Sequence, residues 1–163
     1  MRWFFAAFLV FAGAAPALAE FTAGLAAPWD GKRIPAGMQC QQQGGKGLTP
    51  PIVLSDIPEG TEYVLVEFND RDYRPLSTRG GHGTLIYPVK GRTATLPQVP
   101  GGTTQLPKGV QVFRGNRATG PFASPGYIGP CSGGRGNMYA ATVKAMDGGG
   151  KALATTRVNL GRY

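Results

Sequence analysis

The chain has 163 residues, of which 26 are Gly and 14 are Pro, and its formal net charge is +8. Charged residues make up only 16%, which excludes a coiled coil or a long helical bundle, while 42% hydrophobic and 10% aromatic content is enough for a packed core. What remains is a loop-rich globular chain dominated by β-structure.

In chain order, the first feature is a leader. Arg2 precedes an almost unbroken apolar run from Trp3 to Ala15, and Ala17-Leu18-Ala19 supplies a small-x-small cleavage signal. The run is shorter than the roughly 20 apolar residues a membrane span needs. Residues 1–19 therefore read as a secretory signal peptide, leaving residues 20–163 as one exported, periplasmic or secreted domain with no transmembrane segment. Losing the leader removes Arg2 and no acid, so the charge falls from +8 to +7. The remaining Lys and Arg are scattered, which is a solvated surface and not a nucleic-acid footprint.

Phe21 to Pro35 has no clear period and reads as an irregular lead-in. Gln41 to Gly45 is a polar loop, Pro50-Pro51 excludes helix, and Pro58-Glu59-Gly60 signals a turn. Tyr63 to Phe68 is the best strand, rich in β-branched and aromatic residues. Shorter strands are predicted at Thr84–Tyr87, Thr93–Leu96 and Val110–Phe113. Short helical turns are expected near Gly102 to Gly109. Gly115 to Gly136 is a long Gly/Pro-rich stretch, and irregular segments of that length in a compact domain are commonly functional. Met138–Met146 and Ala152–Leu160 flank Asp147-Gly148-Gly149-Gly150 and read as a hairpin. The sum is an all-β fold, an antiparallel sandwich with little helix.

Catalytic signatures are missing. Ser132 lies between Cys131 and Gly133 and is no G-x-S-x-G elbow; there is no H-E-x-x-H or C-x-x-C; His82 is the single histidine, so no His-rich metal site can form. No cofactor or metal is expected. Cys40 and Cys131 are the two cysteines, and an even count in an exported chain points to a disulfide. The alternatives are two reduced thiols or a nucleophilic Cys131 paired with His82. Two segments bear on binding: Asn69 to Pro75 at the end of the best strand, and Gly80-Gly81-His82-Gly83 leading into the next. Strand ends commonly hold binding residues, although Asp70 and Asp72 could equally bond turn amides.

The order of segments carries more than any one of them. Cys40 through Pro51 is followed by Ile57-Pro58-Glu59-Gly60-Thr61, Asp70-Arg71-Asp72, His82, Tyr127-Ile128-Gly129-Pro130-Cys131, Asn137-Met138-Tyr139 and Ala145-Met146-Asp147. This order resembles the phosphatidylethanolamine-binding protein family, in its bacterial Raf-kinase-inhibitor-like branch, across residues 37–163. The resemblance implies an antiparallel β-sandwich and a non-enzymatic protein with a pocket for a small anionic ligand or phospholipid head group. By position it implies a ligand-binding set of Asp70, His82, Gly129, Pro130, Asn137 and Tyr139, with Asp70 orienting His82 or receiving an amine and favouring a charged imidazole. It also places Cys40 and Cys131 at one rim, where a bridge would tie down the pocket wall. The chain departs from the family pattern at Arg71 (a proline there), Gly83 (a tryptophan), Ser132-Gly133 (a Pro-Pro pair) and Asn137 (a histidine). Such departures also fit a protein-interaction or regulatory module with a degenerate pocket.

Overall fold

The computed structural model describes residues 19–163. The predicted leader lies outside these residues except for Ala19, and among the described residues no helix is long and apolar enough to cross a membrane.

Among the described residues, eight strands form two antiparallel sheets: β1 (Thr22–Leu25), β2 (Ile52–Ser55), β3 (Tyr63–Asp70), β4 (Thr84–Pro88), β5 (Ala94–Leu96), β6 (Gln111–Arg114), β7 (Met138–Met146) and β8 (Ala152–Arg162). The smaller sheet has the order β1-β2-β5 and the larger β6-β4-β3-β7-β8. The predicted all-β, loop-rich architecture is the one observed.

Side-chain alternation decides which residues meet between the sheets. In the central β3/β7 pair, Val64, Val66 and Phe68 lie opposite Ala145, Val143 and Ala141. All six are buried, and Leu85 and Tyr87 of β4 continue the row. Large side chains opposite alanines leave room for the facing sheet, which contributes Ile52, Leu54 and Leu96. Each fully buried Val, Leu, Ile or Phe contributes about 1.5–3 kcal/mol, so this interlayer row is the main stabilising feature. The outer face of β3 is less apolar: Glu67 there pairs with Lys144 of β7 at 2.8 Å.

Three expectations need correction. The lead-in is not wholly irregular, because Thr22–Leu25 pairs with Ile52–Ser55 and Arg33 bridges Arg162. The strand at Ile52–Ser55 was not predicted. No helical turn forms at Gly102 to Gly109, where positive φ at Gly102 (75°) and Gly109 (90°) opposes it. Single 3-10 turns occur instead at Gln41–Gln43, Arg74–Leu76 and Gly120–Phe122.

Candidate functional site

The row that builds the core also delivers the site. Continuing along β3 from Val64, Val66 and Phe68, the next residue on that face is Asp70. Its partner on β7 is Tyr139, which continues Ala145, Val143 and Ala141. Where the interlayer packing ends, this face turns from apolar to polar: Asp70 is 3% exposed and Tyr139 is 2% exposed. Both line a cavity of about 540 Å³, within the size range of small-molecule sites.

His82 reaches the same cavity through a local irregularity. Leu85 and Tyr87 face the core, so strict alternation would turn His82 to the other side of the sheet. The backbone prevents this: the Phe68 amide donates to the Gly83 carbonyl, while the Phe68 carbonyl accepts from the His82 amide at 2.9 Å. Two residues thus face one, a bulge that re-aims a side chain. The imidazole meets the Tyr139 ring edge-on with centroids 5.2 Å apart. The loop around it is fixed by Asn69, whose Oδ1 accepts from the Gly81 amide at 3.1 Å and whose Nδ2 donates to the Glu67 carbonyl. Glycine is required at position 83, where φ is +113° and a Cβ would lie 2.7 Å from the Tyr127 Cα. The tryptophan that the family pattern sets there could not be accommodated.

The electrostatics differ from the expectation of a charged imidazole. Burial pushes the His82 pKa down, and the opposing Ile128 carbonyl and Asp70 charge do not outweigh it. Ring Nδ1 lies 3.1 Å from the Ile128 carbonyl oxygen. A carbonyl only accepts, so Nδ1 carries the hydrogen, and in the neutral form, which burial favours, Nε2 is an acceptor. Asp70 does not orient the imidazole. Its Oδ1 accepts from the Asp72 and Tyr73 amides at 3.0 and 3.1 Å, as a turn carboxylate does, and its Oδ2 accepts from Asn137 Nδ2 at 2.8 Å. Asp72 is likewise committed to structure, accepting from the Met138 amide at 2.9 Å. The Tyr139 phenol is raised in pKa, first by burial, and its oxygen accepts from the Cys131 amide at 3.1 Å.

Of the residues inferred from sequence, Asp70, His82, Asn137 and Tyr139 converge on the cavity. Gly129 and Pro130 do not line it. Gly129 packs against Cys40 and Gly47, and the Pro130 carbonyl accepts from the Cys40 amide at 2.9 Å. Their neighbours Ile128 and Cys131 face the cavity instead. Cys40 and Cys131 are joined in a disulfide with Cα atoms 5.3 Å apart. That bond removes the alternative of a nucleophilic thiol beside His82 and anchors one wall.

Sequence reasoning missed two arginines. Arg117 holds the wall together by donating to the Pro75 and Thr78 carbonyls at 3.1 and 2.7 Å. Arg135 lies exposed at the edge of the cavity, outside the three salt bridges among the described residues. Tyr73, Pro75, Leu76 and Phe122 add apolar lining. The available signal was the length of the Gly115–Gly136 stretch, which contains both arginines and Phe122. No group of three or more His, Cys, Asp or Glu residues positioned to hold a metal occurs among the described residues.

No family model matches the sequence, and no curated protein is detectably similar. Solved structures are. The crystal structure of Escherichia coli YbcL, described as a new member of the mammalian PEBP family, superposes with a TM-score of 0.61 at 21% identity, covering 89% of this chain and 98% of that one. A putative phosphatidylethanolamine-binding protein homologue from Chlamydia trachomatis gives 0.54 at 19% identity, covering 88% and 97%.

Proposed function

We propose that this chain, on the phosphatidylethanolamine-binding-protein fold it shares with the two bacterial structures, is an exported, non-enzymatic binding protein whose cavity takes a small oxyanion or a phospholipid head group. The observation that carries this reading is the convergence of Asp70, His82, Asn137 and Tyr139 on one cavity with an uncommitted guanidinium, Arg135, at its edge. A guanidinium is suited to planar, bidentate recognition of carboxylate and phosphate. Export is supported by the leader pattern and by a disulfide, which persists in oxidising compartments.

Thermal stability of the mature protein in rising phosphate or phosphoethanolamine tests the reading. A ligand that binds only the folded state raises the melting temperature with concentration. A flat response, or an undiminished one in His82→Ala, removes support for the cavity as the binding site.

A second reading, a protein-interaction or regulatory module, draws on the apolar surface near the mouth: Tyr73 is 51% exposed and Phe122 36% exposed. Recovery of a stoichiometric protein partner from envelope fractions, lost in Tyr73→Ala, would favour it over a purely small-molecule binder.

A further inference from the structure

Binding an oxyanion in this cavity raises a question of proton count. The groups around His82 come from several elements: Asp70 on β3, the Tyr139 ring on β7 and the Ile128 carbonyl on the following segment, while Arg117 and Arg135 line the same cavity from the flanking loops. With Nδ1 given to the Ile128 carbonyl, the ring nitrogen left for a ligand is Nε2, which in the neutral imidazole has a lone pair and no hydrogen. Beside it, the Asp70 carboxyl accepts from two amides and from Asn137 and has no hydrogen to give in that role. The deep end of the cavity thus offers two acceptors, His82 Nε2 and the Asp70 carboxyl, beside the Tyr139 hydroxyl, and the lining guanidinium with no hydrogen-bond partner among the described residues, Arg135, sits at the edge. An ionised oxygen set against either of those two acceptors would place lone pair against lone pair.

We propose that the cavity selects oxyanions that still carry a proton, a monoprotonated phosphate above all, with the P–OH donating to His82 Nε2 or the Asp70 carboxyl and the anionic oxygens directed to Arg135. This rests on the reading of the cavity as an oxyanion site and narrows it. A phosphomonoester or inorganic phosphate fits; a phosphodiester head group, whose phosphate has no proton to give, does not. A site built to bond a hydroxyl rejects analogues without one, because its buried polar groups are left unpaired.

Methyl phosphate, methyl sulfate and dimethyl phosphate separate the cases. At about pH 5.5, below the second ionisation of a phosphomonoester near pH 6, all three are monoanions of similar size, and only methyl phosphate has a hydroxyl. Calorimetric titration of the mature, disulfide-bonded protein is expected to give methyl phosphate an affinity at least about tenfold above the other two. Raising the pH to about 7.5 is expected to weaken methyl phosphate by about tenfold per pH unit as its proton is lost. Arg135→Ala is expected to weaken methyl phosphate binding while leaving the melting temperature of the free protein unchanged. Equal affinity for the three probes would overturn the selection yet leave the oxyanion reading standing. Binding of none of them would overturn both.

Discussion

Opening the Cys40–Cys131 bridge is the sharpest test of how this fold holds its cavity wall. The perturbation is the double variant Cys40→Ala/Cys131→Ala, which leaves no stray thiol. The two cysteines are 91 residues apart in sequence. A cross-link of that span restricts the unfolded chain by about 4–5 kcal/mol in the loop-entropy treatment, an upper figure when the denatured chain retains structure. Net stabilities are about 5–15 kcal/mol, so the expected loss is a large fraction of the whole. Urea denaturation followed by tyrosine and tryptophan fluorescence reads it. With a urea dependence of about 1–3 kcal/mol per molar, the midpoint should fall by more than 1 M, and the slope should rise as the unfolded chain loses its cross-link. The local backbone contacts, Cys40 N–H to Pro130 and the two amides that donate to the Cys40 carbonyl, cannot replace a constraint across so long a loop. A loss under about 1 kcal/mol would refute the reasoning, because it would mean that the ends of this loop stay together without the bond.

Three further outcomes are expected. Tyr127→Phe should stabilise the protein or leave it unchanged, by up to about 1–3 kcal/mol, because the buried Tyr127 hydroxyl has no hydrogen-bond partner; a marked drop in melting temperature would contradict this. Asn69→Ala strips the Gly81 amide of its acceptor in a buried setting and should cost about 1–3 kcal/mol, together with weaker phosphate binding as the turn before His82 loosens; unchanged values of both would show that the turn holds itself. The third outcome concerns pH. Burial holds Tyr87 up to about 12 and raises Tyr127 and Tyr139 as well, whereas their phenols ionise near pH 10 in the unfolded chain. The folded state then binds more protons, so stability should fall above pH 10 by about 1.4 kcal/mol per pH unit for each such phenol. The lowered His82 pKa acts at the other end, its contribution being complete above about pH 6.5 and lost as the pH falls below it. A denaturation midpoint flat from pH 9 to pH 11 would contradict the alkaline half.

The parts of the fold that could be read from the sequence are those where the residue pattern itself sets the structure. Tyr63–Asp70, Met138–Met146 and the hairpin closed by Asp147 to Gly150 have β-branched runs and turn glycines that leave few alternatives. Thr22–Leu25 could not be read because it is four residues long, contains Ala23 and Gly24, and becomes a strand only through pairing with β2. The site divides along the same line. Asp70 could be singled out because it ends a strand, and His82 because glycines surround it, whereas Asn137 and Tyr139 came from the resemblance alone. Gly129 and Pro130 belong to an irregular segment in which Ile128 and Cys131 face the cavity and the residues between them turn toward Cys40 and Gly47, an arrangement that no periodicity in the sequence marks. Arg117 and Arg135 lie in the Gly-rich stretch with no period, so beyond the length of that stretch nothing in the sequence sets them apart from the other scattered cations. The lowering of the imidazole pKa follows from burial, which only the folded arrangement supplies.

The bottom of the cavity belongs to strands and its sides to loops, and this division separates two kinds of change. Asp70 and Tyr139 are tied to the same register as the core, so a slip of one residue between β3 and β7 would ruin packing and chemistry together. Arg135, Phe122 and Ser132 answer to no such constraint. Lineages carrying this scaffold can therefore exchange one occupant for another by redrafting the sides, while the bottom stays as the sheet dictates.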